Sequence, residues 1–119
     1  MNHLPVALLG GVVYYIDARK RLCSLREGEC LVEYGEPLEA AGICAGVGGC
    51  GNHRIFIADR ATPSLKVFDP LSRRLDTLAI LPSEPLGIAK EDCTIVVSLA
   101  GALWKFDLKT LEPAGRWPL

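Results

Sequence analysis

The 119-residue sequence contains no glutamine, only two asparagines (Asn2 and Asn52), two histidines (His3 and His53) and one methionine. Heat damages amide and thioether side chains first, so their scarcity predicts a thermophilic source. With so little histidine, no Ser/His/Asp or Cys/His arrangement for nucleophilic catalysis emerges. Long runs of like charge are missing too. The 13 basic and 14 acidic residues give a net charge of −1, and the densest basic cluster is Arg19-Lys20-Arg21. That excludes the electrostatic footprint of a nucleic-acid binder. No apolar stretch is long enough for a bilayer: the longest, residues 4–16, runs about 13 residues, against the roughly 20 that a helical span needs. It also lacks a basic leader and a small-residue cleavage site. A soluble, cytoplasmic protein with no membrane partner is expected.

What the chain has is apolar and repetitive. Half the residues are hydrophobic, and the mean hydropathy is +0.25, which argues against disorder. The length suits one domain. Three segments align: V-A-L-L-G-G-V-V-Y-Y-I-D (6–17), I-F-I-A-D-R-A-T-P-S-L-K-V-F-D (55–69) and I-V-V-S-L-A-G-A-L-W-K-F-D (95–107). Each is a β-branched run, a turn, a second apolar run and a closing aspartate. E-P-L-E-A-A-G-I-C (36–44) and E-P-L-G-I-A (84–89) form a further matched pair. Short runs bounded by turn residues, without helical periodicity or caps, predict an all-β antiparallel chain.

The run from Arg54 to Ala89 resembles a β-propeller repeat of the YVTN/NHL/lactonase-like kind. In that family a blade has four strands, a to d, from the central channel outward. Pro85-Leu86-Gly87-Ile88-Ala89 resembles strand a, with b over 95–99, c over 103–107 and d over 111–117. The resemblance is closest over residues 54–119 and looser over 4–46. It implies about three blades in a single domain, near 4–35, 36–82 and 83–119, with the chain opening at a strand b. Closed propellers have four to eight blades. The expected outcome is therefore a homodimer that closes a six-bladed ring, or union with a protein that supplies further blades. The expected seam draws on residues 6–9 and 12–16 and on Trp104, Phe106 and Trp117. The expected function is a non-catalytic scaffold or protein-interaction module. The alternative is a small metal-dependent, lactonase-like hydrolase at the channel of a dimer-closed ring.

Individual residues follow from that frame. Gly46, Gly48 and Gly51 spell G-x-G-x-x-G, but the next run, N-H-R-I-F-I-A-D, reads as a strand where a nucleotide site needs a helix. The glycines are expected to form an a–b turn, and no cofactor is expected. Cys44, Cys50 and His53 are metal-ligand candidates, with Cys93 a possible fourth group. Cys23, Cys30, Cys44 and Cys50 are disulfide candidates, and Cys23 is expected to bridge Cys30 across a hairpin centred on residues 26–28. Asp17, Asp69 and Asp107 are read as one repeated structural position, the c–d turn, where a carboxylate accepts backbone N–H bonds. The ligand-face candidates are Glu36, Asp59, Arg60 and Glu84, on the loops that such propellers use for binding. No catalytic residue is assigned.

Overall fold

The computed structural model describes residues 5–26, 30–32 and 37–119. Among them there is no helix, only eleven strands. β1 (Val6–Leu9), β2 (Val12–Ile16) and β3 (Leu22–Ser24) form one antiparallel sheet. β4 (Ala40–Ala45), β5 (Ile55–Asp59), β6 (Ser64–Asp69) and β7 (Arg74–Ile80) form the second. β8 (Pro85–Glu91), β9 (Thr94–Leu99), β10 (Ala102–Asp107) and β11 (Glu112–Pro118) form the third. Each sheet is a simple meander, because consecutive short strands joined by tight turns pair with their sequence neighbours.

The sheets stack face to face through two cores. Alternation along a strand sends neighbouring side chains to opposite faces. In β5, Ile55 and Ile57 point toward the first sheet and join Ala7, Leu9, Tyr14, Ile16 and Leu22. Phe56 points the other way and joins Ile95, Val97, Leu99 and Phe106 of the third sheet. The middle strand is therefore buried throughout. Each such aliphatic or aromatic side chain contributes about 1.5–3 kcal/mol on full burial.

The rims set the register of the blades. At one rim the β4–β5 turn meets the β8–β9 turn through a Cys50–Cys93 disulfide. The β1–β2 turn lies at this rim too, since a Cβ on Gly10 would sit 3.5 Å from a His53 ring carbon. At the opposite rim, the Leu38 N–H donates to the Lys20 carbonyl at 3.1 Å and the Arg60 N–H to the Glu39 carbonyl at 2.9 Å. That gathers the β2–β3 turn, the β5–β6 turn and the approach to β4. So β1, β4 and β8 are equivalent inner strands, followed by β2, β5 and β9, then β3, β6 and β10. Beyond β3, Cys30 forms an antiparallel bridge to Cys23, with the Leu31 N–H on the Leu22 carbonyl at 3.0 Å. Residues 30–32 thus begin a fourth strand position.

This corrects the register expected from sequence. The described chain opens at an inner strand, not at a strand b. Asp17 consequently lies at the β2–β3 turn, equivalent to Asp59, and not with Asp69 and Asp107. The mistake has a physical cause: a short apolar run closed by an aspartate turn occurs after either the second or the third strand of a blade, and local pattern does not distinguish them.

Candidate interaction surfaces

The outer blades each turn one face away from the stack. On the first, cross-strand pairs Val6–Tyr15 and Leu8–Val13 make an apolar ladder. Val6 is 59% exposed and Leu8 63%, while their neighbours Ala7 and Leu9 are buried. Leu25, also exposed, and Arg26 border a groove of about 560 Å³ that continues this face past Gly10 and Gly11.

On the third blade the outward face is smoother. Gly87, Ser98, Leu103 and Trp117 form one cross-strand row; Ala89, Val96, Lys105 and Gly115 form the next. Trp117 is 47% exposed, and its ring lies 3.7 Å from the place a Cβ on Gly115 would take. Two of the three aromatic residues expected at this seam face the other way. Phe106 is buried in the inter-blade core with Trp104 packed against it, their centroids 6.1 Å apart. Arg116 covers the Trp104 ring at 5.5 Å.

Of the ligand-face candidates, Asp59, Arg60 and Glu84 lie among the described residues. Asp59 is 2% exposed. One of its oxygens accepts from the Glu39 and Ala61 N–H groups, both at 3.0 Å, and the other from Lys66 Nζ at 2.6 Å. Lys66 also reaches the buried Ser64 Oγ at 2.7 Å. The carboxylate thus ties the β5–β6 turn to the approach of β4, and it points inward. Arg60 and Glu84 are exposed, and Glu36 lies outside the described residues. Lys20 and Glu39 form an ion pair nearby, whose hydrogen bond holds the Glu39 carboxyl below its usual range.

The closing aspartates share one local geometry. Asp17, Asp69 and Asp107 accept the N–H two residues on, from Arg19, Leu71 and Lys109, at 2.8–2.9 Å. Burial raises the Asp17 carboxyl, but hydrogen bonds from the Arg21 N–H, the Cys23 thiol and the Arg19 N–H, with the Arg21 side chain, outweigh it and leave it below the normal range.

The cysteines pair differently from expectation. Cys50 bonds Cys93, and Cys23, Cys30 and Cys44 are free thiols. Cys44 lies on β4 opposite Phe56 and packs against the core between the second and third blades. Cys50 sits on the turn, where positive φ at Gly48, Gly49 and Gly51 carries it to the next blade. A Cβ on Gly49 would fall 2.6 Å from Asp92 backbone, so only glycine allows this approach. Burial pushes the Cys44 thiol up to about 11. Cys23 stands opposite Cys30 as the hairpin reading expects, but its Sγ donates to Asp17 Oδ2 at 3.5 Å and the Cys30 Sγ to the Val32 carbonyl at 2.9 Å. Burial and the Asp17 charge push Cys23 up to about 12. Of the Cys44, Cys50 and His53 set, Cys50 is taken up by the disulfide, and among the described residues no group of three or more His, Cys, Asp or Glu side chains is placed to hold a metal. The sequence reading missed Cys93 as a bridge partner and Lys66 as the partner of Asp59; both lie opposite on neighbouring turns or strands, information that only the register supplies.

No family model matches the sequence, and no curated protein matches it. Solved structures do. A chain of the Mitotic Checkpoint Complex superposes with a TM-score of 0.74 at 13% identity, over 97% of this chain and 36% of that one. Hydrazine Synthase from Kuenenia stuttgartiensis gives 0.73 at 11% identity, over 97% and 36%. The WD40 β-propeller domain of Doa1 gives 0.68 at 15% identity, over 96% and 38%. At these identities the likeness is one of fold. The three sheets are β-propeller blades, and the chain spans little over a third of the length of those chains.

Proposed function

We propose that this chain is a non-catalytic propeller module that self-assembles through the outward faces of its first and third blades. The observation that carries the reading is the pair of outward faces left unpartnered among the described residues, one of them an apolar ladder and the other bearing Leu103 and Trp117. The third-blade face carries Leu103, Trp117 and Val96 among small and polar residues; both faces lie at positions that the middle blade buries on its two sides. Large contiguous apolar patches on a soluble protein mark interaction sites. The only buried charge pair within a blade core, Asp59–Lys66 among the described residues, serves the chain's own turns.

Sedimentation velocity with matched variants tests this. Leu8→Asp places a charge on the first outward face. Leu71→Asp changes an equally apolar but 90% exposed turn residue at the rim. The wild-type protein and Leu71→Asp are expected to sediment as an assembly, and Leu8→Asp as a 12.9 kDa chain. A wild-type protein that sediments as a single chain would refute the reading.

A further inference from the structure

Resting on that assembly reading, we infer that the third-blade face is covered by the first-blade face of a second copy, set head to tail. The seam would repeat the step that already joins the second blade to the third.

The argument lies in equivalent positions. Gly42 and Gly87 both follow a register shift at the start of an inner strand, opposite Ala58 and Ser98. At the second-to-third junction a Cβ on Gly42 would meet Ile88 Cγ2 at 3.4 Å and Gly87 Cα at 3.9 Å. Glycine is there because the bulky residue of the next inner strand seats over it. Gly87 offers the same shallow seat on the outward face, where an added Cβ would meet only its own blade's Ser98 Oγ, at 3.1 Å.

The matching bulky residue is on the other outward face. The β1–β2 and β8–β9 hairpins both close through two-residue turns, at Leu9–Val12 and Glu91–Thr94. Counting back from those turns, Val6 pairs with Tyr15 as Ile88 pairs with Val97. Val6 therefore occupies the Ile88 position, yet it is exposed. The adjoining position is apolar in both blades but differs in size. Phe56, which shares its core cluster with Ile88, corresponds to Val96 on the outward face of the third blade. At the second-to-third junction a glycine on one face receives a bulky residue from the other, and the two outward faces carry an equivalent glycine, Gly87, and an equivalent bulky residue, Val6. Two copies related by a two-fold axis satisfy both faces through two identical seams and give six blades, within the range of closed rings.

Val6→Lys and Val96→Glu test the geometry. Neither side chain belongs to the buried core, so both variants are expected to melt as the wild type does. Each alone puts an unpaired charge into both seams, and self-association should weaken by about tenfold or more. An equimolar mixture should restore a one-to-one dimer, because one seam is then wild type and the other pairs Lys with Glu. Should a charge variant fail to fold, Val6→Ala and Val96→Ala keep the test, since each must still weaken self-association. A wild-type assembly that neither substitution weakens, or variants that mixing does not rescue, would overturn the head-to-tail arrangement and leave the assembly reading standing. A monomeric wild-type protein would overturn both, and would point to a different chain or a longer one as the cover.

Discussion

Asp59 and Lys66 meet at 2.6 Å beneath the β5–β6 turn, with only 2% and 14% of their side chains exposed. The same two places hold Asp17 and Cys23 in the first blade and Leu99 and Trp104 in the third, by strand pairing. The pair is specific to the middle blade, and the first blade keeps only a weak thiol–carboxylate version of it. Removing one partner of a buried pair strands the other charge, which typically costs about 3–5 kcal/mol. Asp59→Ala should lose stability of that order in urea unfolding. Asp59→Leu combined with Lys66→Met should recover most of it, since buried pairs are often replaceable by apolar residues. If Asp59→Ala unfolds as the wild type does, the pair is not the brace described.

The Cys50–Cys93 bridge closes a loop across 43 positions and ties two blades at one rim. Constraining the unfolded chain over such a loop is worth about 2–4 kcal/mol. Cys93→Ser should show that loss in denaturant. Peptide mapping without reductant should find Cys50 linked to Cys93, with Cys23, Cys30 and Cys44 open to alkylation after unfolding. A Cys23–Cys30 linkage in the same map would contradict the free thiols seen here.

Alkaline pH should weaken the fold in a definite window. Burial is the first cause that raises Cys23 from 9.0 to about 12 and Cys44 from 9.0 to about 11. Burial also raises Tyr14. A raised folded-state value means that the folded chain holds its proton longer than the unfolded chain. The stabilisation is then complete below about pH 9 and is lost as pH rises toward 11–12. Unfolding midpoints measured from pH 7 upward should fall beyond pH 9. Cys44→Ala and Cys23→Ala should each flatten that fall, and a slope unchanged in both would show that the thiols are not the cause.

Much of the fold was legible because strands and turns are local events. Alternating β-branched runs, Gly10-Gly11 and the aspartate turns mark nearly every strand. The glycine stretch could be read as a turn because a strand follows it. The register of the first blade was not legible. Asp17 ends an apolar run just as Asp69 and Asp107 do, and only contacts between rims place it with Asp59. The burial of Asp59 was hidden for a similar reason: its partner Lys66 lies seven residues on, in a strand that also looks like ordinary alternation. The Cys50–Cys93 bond joins different blades, so no spacing within one hairpin announces it. The outward faces were anticipated as a consequence of the blade count, but their residues required knowing which way each strand turns. Phe106 was expected at the seam and is core; Val96 and Gly87 were not expected there and face outward.

Small-angle X-ray scattering of the wild-type protein at micromolar concentration tests the central claim most directly, because it reports mass and shape together. A single chain has a Cα radius of gyration of 13.5 Å and a mass of 12.9 kDa. Two chains closed into one ring should weigh about twice the 12.9 kDa of one, with a radius near 18 Å, about what a compact body of that size shows. A particle of 12.9 kDa, with a radius close to 13.5 Å and unchanged by concentration, would contradict the account.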